Sequence, residues 1–349
     1  MSLGPLMVGL SGPELLAEEE EILKHPHVGG VILFSRNFES PQQIERLTAS
    51  IHRLRDPHLL IAVDHEGGRV QRFRHGFTHL PPARRIGEAY DRDPKQGLHA
   101  AESMGWLMAV ELRTAGVDFS FAPVVDLDHG TSSVIGDRAF HSDPDIVSRL
   151  ALAYEKGMQH AGMAATIKHF PGHGAIEEDS HTEIAVDARP YETLKREDLM
   201  PFKRLIHHGT AAVMAAHVIY TAVDAQPAGF SAVWLQKILR RELGFQGVIF
   251  SDDLYMVGAS IAGGITERAQ AALEAGCDMV LLCRAAAEKA TIEALDKITV
   301  TSDPVSHLRL IRMHGRKHST RAHLIHDAAW QEAVQLVQQL SGQQSLDLI

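Results

Sequence analysis

Short apolar runs alternate along the chain with segments whose apolar residues recur every three or four positions. The runs occupy residues 6–10, 28–34, 59–63, 117–125, 163–167, 211–219, 247–250 and 279–282. Each is too short for a helix and too uniformly apolar for a half-exposed strand, which predicts strands buried on both faces. Between them, Gly12-Pro13 opens a helix carrying Leu15, Leu16, Ile22 and Leu23. Ser40-Pro41 with Gln43 starts a second, in which Ile44, Leu47, Ile51 and Leu54 share one face. Further helices are predicted over 94–115, over 144–158 with Val147, Leu150, Ala151, Tyr154 and Met158 buried, and over 198–208, 231–243 and 266–275. Strands alternating with helices imply a parallel sheet, and eight of them favour closure into a single α/β domain, a (β/α)8 barrel of the TIM type. Residues 1–295 are read as this barrel. Residues 296–349 are read as a helical appendage built from 305–314 and 320–340, with a loose end near 338–349.

Composition narrows the class. The chain has 349 residues, 45% hydrophobic and 22% charged, which suffices for a large core and a polar surface. A formal net charge of −10 argues against a nucleic-acid partner, and the basic residues between Arg312 and Arg321 read as a solvated surface. Two cysteines, Cys277 and Cys283, fit a reducing compartment rather than a disulfide framework. The N-terminus lacks the pattern of a signal peptide, and no apolar run reaches the ~20 residues of a membrane helix. These features fit a cytoplasmic location and no membrane partner; a monomer is expected.

In a parallel barrel the carboxyl ends of the strands share one face, so polar residues there converge. They are Asp64 with Arg69 or Arg72, Asp126 and Asp128, Lys168 and His169, His217, and Asp252 and Asp253. Following loops add Asp137 and Arg138 after strand four, and His173, Asp179 and His181 after strand five. Carboxylates, cations and imidazoles around one mouth suit a polyhydroxylated substrate. Asp252 can act as a nucleophile, although either member of the Asp252-Asp253 pair could equally cap the next helix. Asp179 and His181 lie two apart, so an extended backbone turns both to one side and the carboxylate can hold the imidazole as an acid/base. Asp64 can accept from a sugar diol, and Lys168 and His169 can donate to hydroxyls. The Gly-rich run after His169 carries few apolar anchors, which predicts a moving loop. His173 is assigned to loop packing.

The stretch Lys168-His169-Phe170-Pro171-Gly172-His173-Gly174 with Asp179-Ser180-His181 resembles the signature of family 3 glycoside hydrolases of the bacterial β-N-acetylglucosaminidase type. Residues 63–72 (Val-Asp-His-Glu-Gly-Gly-Arg-Val-Gln-Arg), 136–140 (Gly-Asp-Arg-Ala-Phe) and 250–254 (Phe-Ser-Asp-Asp-Leu) agree, in the same order. Departures are His65, where many members have Gln, and Tyr255-Met256-Val257-Gly258, where they have Ser-Met-Glu-Gly. The resemblance implies an exo-acting cytoplasmic enzyme of peptidoglycan recycling, without cofactor or metal. Its substrate would be N-acetylglucosamine joined to 1,6-anhydro-N-acetylmuramic acid, with or without peptide. It further implies Asp252 as nucleophile, His181 as proton donor and acceptor, Asp179 as its partner, and Asp64, Arg72, Arg138, Lys168 and His169 as sugar ligands.

A retaining route through a glycosyl-enzyme follows from these assignments, with imidazolium taking the place of the usual second carboxyl. The Asp-x-Asp-x-Glu pattern of acetamido-assisted hydrolysis is missing, since Asp126-Leu127-Asp128-His129-Gly130 lacks the Glu. Competing readings are a metal-dependent hydrolase through His169 and His173, a Schiff-base aldolase through Lys168, and a non-catalytic sugar-binding barrel. Pro171-Gly172 between the two histidines argues against helical i, i+4 ligation.

Overall fold

A computed structural model describes residues 2–177, 180, 183–300, 303–316 and 320–342. Eight parallel strands form the sheet: β1 (Leu6–Gly9), β2 (Val28–Leu33), β3 (Leu60–Val63), β4 (Phe119–Ser120), β5 (Thr166–Phe170), β6 (Ala212–Ala215), β7 (Val248–Asp253) and β8 (Met279–Ala285). Their spatial order is β4-β3-β2-β1-β8-β7-β6-β5. The ends meet where Val124 bridges Lys168, with Thr166 N donating to Ala122 O at 2.9 Å and Val125 N to Lys168 O at 2.9 Å. This is the (β/α)8 architecture that the alternation predicts. Strand residues such as Leu6, Val31, Ile61, Val213, Ile249 and Leu282 are fully buried, as a sheet covered on both faces requires. Inside the barrel Phe119, Phe121 and Phe250 touch one another, with ring centroids 5.2–5.5 Å apart.

Two predicted strands are interrupted. The run 117–125 is regular only over Phe119–Ser120, because Pro123 has no N–H to continue a ladder and the chain re-pairs at Val124. The run 211–219 leaves the barrel after Ala215, and Val218–Tyr220 pairs with Ala185–Asp187 outside it. The first helix begins at Ala17, later than Gly12-Pro13, because the buried Glu19 carboxylate takes Ser11 N at 2.7 Å and holds the preceding turn open.

Helices α1 (Ala17–Leu23), α2 (Pro41–His52), α3 (Pro94–Thr114), α4 (Pro144–His160) and α5 (Leu199–His207) cover the sheet, joined by α6 (Val233–Glu242, π-helical), α7 (Ile265–Ala275) and α8 (Lys289–Lys297). Beyond them lie α9 (Pro304–Ile311) and α10 (Ala328–Leu340). The continuous helix expected over 320–340 is broken, because Asp327 accepts Ala329 N at 2.8 Å and starts a new one. Trp330 donates to Glu111 at 2.9 Å, Arg309 to Asp278 at 3.1 Å and Gly315 N to Asp118 at 3.0 Å, so these last segments are tied to the barrel by buried acceptors. Among the described residues no helix is long and apolar enough to cross a membrane.

One buried acid on the helical layer gives a pH signature. Glu155 on α4 is 3% exposed and bonded to the Thr210 hydroxyl. Burial pushes its carboxyl up to about 7, and the hydroxyl offsets only part of that. The folded chain therefore binds this proton more tightly than the unfolded chain, and stability falls as pH rises from the ordinary carboxylate range to about 7. Denaturant titrations across that window should show a loss on the order of 3 kcal/mol. Glu155→Gln should remove most of it.

Candidate active site

The carboxyl end of β3 turns at once into a small hairpin, His65–Gly67 against Val70–Gln71. Gly67 and Gly68 have φ of 111° and 54°, which only glycine adopts without strain, and a Cβ on Gly67 would lie 2.5 Å from Pro81 O. This turn places Asp64 and Glu66 on one side of the chain, at the period-two spacing of extended backbone. Across from them, Lys168 leaves β5 and is 2% exposed. Its Nζ lies 2.8 Å from Asp64 Oδ1 and 2.7 Å from Glu66 Oε1.

Glu66 in turn receives Arg138 at 2.8 Å (Nε) and 2.9 Å (Nη2), a two-pronged pairing that fixes the guanidinium plane. Arg72 completes the row, 3.6 Å from the other oxygen of Asp64 and over the Phe34 ring. Charges thus alternate as Arg72, Asp64, Lys168, Glu66, Arg138. Burial acts on Glu66 to raise its pKa, but Arg138 and Lys168 overcome it and hold the carboxyl well below the usual range. Burial likewise opposes the charge on Lys168, and Asp64 and Glu66 overcome it, so its pKa is raised. Arg69, the alternative to Arg72, points elsewhere: it bonds Ser133 O at 2.9 Å and Val134 O, beside Asp137.

His169 follows Lys168 and is 7% exposed. Its Nδ1 lies 2.7 Å from Asp126 Oδ2, a pairing that places a proton on Nδ1. Asp126 also takes the backbone N–H of His169 at 3.2 Å and of His173 at 2.8 Å. Desolvation works to raise the Asp126 pKa, and His169 with these donors lowers it instead. Asp128, the second carboxylate of that strand end, holds the Gly130 N–H at 3.0 Å within its own turn.

The Asp252-Asp253 pair at the end of β7 divides its work. Asp253 accepts Tyr255 N at 3.0 Å and Cys283 N at 3.2 Å, which ties β7 to β8, and burial raises its pKa. Asp252 accepts its neighbour's N–H at 2.8 Å, and its carbonyl faces His217 Nε2 at 3.1 Å. His217 is buried against Phe230, with ring centroids 5.0 Å apart, and burial lowers its pKa.

Asp179 and His181 lie outside the described residues. The expectation that the run after His169 lacks anchors is corrected for its first part. His173 and Ile176 are 2% and 3% exposed, and Tyr220 donates to Gly172 O at 2.6 Å. Histidine and isoleucine side chains turned inward supply the anchors that a count of apolar letters does not show. Two residues of this network were given no role by the sequence. Glu66 had a signal, its two-residue spacing from Asp64. Asp126 was placed at the mouth without a role, since only the fold shows that it faces His169.

Residues 6–310 match the Glycosyl hydrolase family 3 N terminal domain. A β-hexosaminidase of Thioalkalivibrio sulfidiphilus is 55% identical over 348 residues, covering 100% of this chain and 99% of that protein. The crystal structure of NagZ from Neisseria gonorrhoeae in complex with N-trifluoroacetyl-D-glucosamine superposes with a TM-score of 0.92 at 45% identity, over 98% of this chain and 99% of that one. A family 3 β-N-acetylglucosaminidase of a Paenibacillus gives a TM-score of 0.86 at 32% identity, over 97% of this chain and 66% of that one. Pairwise likeness over the whole barrel, with the motif residues drawn together at one mouth, makes this chain a glycoside hydrolase that belongs to glycosyl hydrolase family 3, in its bacterial β-hexosaminidase branch.

Proposed function

We propose that the enzyme removes terminal N-acetylglucosamine from 1,6-anhydro-N-acetylmuramic acid, with or without a stem peptide, as a cytoplasmic step of cell-wall recycling. The observation that carries the sugar-binding part is the alternating row Arg72–Asp64–Lys168–Glu66–Arg138, at the same end of the barrel strands as Asp252. In this reading Asp64, Arg72, Arg138, Lys168 and His169 grip the sugar. A solvated sugar exchanges water for charged partners here, and charged hydrogen bonds hold hydroxyls more firmly than neutral ones. His169, held through Nδ1 by Asp126, has its other ring nitrogen to bond a sugar hydroxyl.

The reaction is a double displacement. Asp252 attacks the anomeric carbon while His181, charged and held by Asp179, gives its proton to the leaving oxygen. Neutral His181 then takes a proton from water, which attacks the glycosyl-enzyme and releases the sugar with its anomeric configuration retained. Asp126 is occupied by His169 and by two backbone N–H groups, which argues against its orienting the acetamido group for internal attack. No cofactor or metal enters this scheme, and a monomer suffices for it.

Substrate class is tested by comparing an aryl N-acetyl-β-glucosaminide with the matching β-glucoside. A kcat/KM higher by about 100-fold or more for the acetamido sugar is expected, the scale on which a site built for a polar group rejects its lack. Equal rates on both sugars would overturn the assignment.

A further inference from the structure

His169 and His173 are held by one buried carboxylate. Asp126, 1% exposed, receives His169 through its ring and its amide, and receives the amide of His173. His173 is itself 2% exposed, and its Nε2 shares a hydrogen bond of 2.9 Å with Ser180 Oγ. Ser180 is also 2% exposed, and its carbonyl accepts Gly258 N at 2.9 Å. Gly258 lies six residues after Asp252, and a Cβ there would stand 2.6 Å from His217 O and 3.2 Å from Ser180 O. A larger residue at 258 would push the strand-seven loop off Ser180. Gly174 is fitted as tightly, since its Cβ would lie 1.8 Å from Leu127 O. Ser180 is thus fastened on one side to the strand-five turn and on the other to the loop that follows Asp252.

We propose that His173 and Ser180 are positioning residues for proton transfer, anchored on Asp126, which sets the sugar-binding His169 and this support from a single carboxylate. The proposal rests on the reading of Asp179 and His181 as the acid/base pair, because those are the two residues covalently joined to Ser180. A serine held through both its side chain and its carbonyl fixes the backbone from which its neighbours depart. Neither His173 nor Ser180 reaches the reacting atoms in this role. Burial, then the nearby His169, lower the His173 pKa, so its imidazole serves as a neutral hydrogen-bonding strut and not as a second acid.

The test is the leaving-group dependence of kcat/KM, which reports the first, bond-breaking step. It is measured for the full-length wild type, His173→Ala, Ser180→Ala, Ser180→Thr and His181→Ala with a series of aryl N-acetyl-β-glucosaminides. Misplacing a general acid costs about 10- to 100-fold on poor leaving groups. His173→Ala and Ser180→Ala should show that loss with weakly acidic phenols and much less with strongly acidic ones, steepening the dependence as His181→Ala does. Ser180→Thr keeps the hydroxyl and should recover part of the rate. Thermal melts identify a variant that fails to fold, and Ser180→Ala, which deletes one oxygen, keeps the test decisive if His173→Ala does. If His181→Ala steepens the series and neither His173→Ala nor Ser180→Ala does, the support is refuted while the acid/base reading stands. If His181→Ala leaves the slope unchanged, that reading fails and the proposal fails with it.

Discussion

Asp252→Ala should abolish turnover, with a fall in kcat on the order of 10⁴ or more on substrates with poor leaving groups. The reason lies in the division of labour at the end of β7. Asp253 is committed to the amides of Tyr255 and Cys283, so it cannot take over attack without releasing β8. Removing the Asp252 carboxylate leaves a gap on the face of the proposed attack. A small anion such as azide should enter that gap and restore part of the rate on a substrate with an acidic phenol, giving a glycosyl azide of inverted configuration. Asp253→Asn should behave differently. One of its backbone acceptors survives, so a modest loss of thermal stability is expected, with a much smaller effect on kcat. Steady-state kinetics of the two variants side by side distinguish nucleophile from scaffold.

Glu66→Gln should be nearly as damaging, although Glu66 carries no step of the proposed reaction. Its carboxylate balances Lys168, which is 2% exposed, and Arg138, at 2.7–2.9 Å. Glutamine keeps the shape and one acceptor but removes the charge, leaving two buried cations with Asp64 as their shared counter-ion. Breaking a buried pair from one side costs about 3–5 kcal/mol, because the remaining charge stays desolvated. Part of that should appear as a lower melting temperature, and part as a raised KM when Lys168 and Arg138 drift from the sugar. The wild-type contribution has a defined pH sign. A carboxylate held below its unfolded value stabilises the fold fully above the ordinary carboxylate range, and that contribution is lost only as pH falls through its depressed folded pKa. Wild type should therefore keep this part of its stability through mildly acidic pH. Melting temperatures of wild type and Glu66→Gln, followed from pH 7 to pH 4, check this: their gap should persist across the range.

Much of this was legible in the chain, for reasons that can be named. Eight buried strands announce themselves as continuous apolar runs, since burial on both faces removes alternation. Their polar ends announce the mouth, since a parallel barrel sends every carboxyl end to one side. Thus Asp64, Lys168, His169 and Asp252 stand out as strand-end residues before any coordinates. Less legible was whatever depends on which neighbour a side chain meets. Arg69 and Arg72 are both within reach of the mouth by spacing, and only packing sends the first toward Ser133 and the second toward Asp64. His173 looked like one of 22 histidines in a glycine-rich turn, because its partners Asp126 and Ser180 are set by the fold. Asp126 shows the same principle in reverse: a strand-end carboxylate that the fold commits to an imidazole and two backbone amides. The break in the strand at 117–125 was foreshadowed by Pro123, which cannot donate to a ladder.

The central claim, a covalent glycosyl-enzyme on Asp252, is tested most directly by trapping it. A 2-acetamido-5-fluoro glycosyl donor with a good leaving group slows both steps but slows release more, so the intermediate accumulates. Mass spectrometry of the labelled protein and its peptides should find one sugar per chain, on the peptide holding Asp252. A label on any other residue, or full turnover through a sugar oxazoline with no protein-bound sugar at any time, would contradict the account.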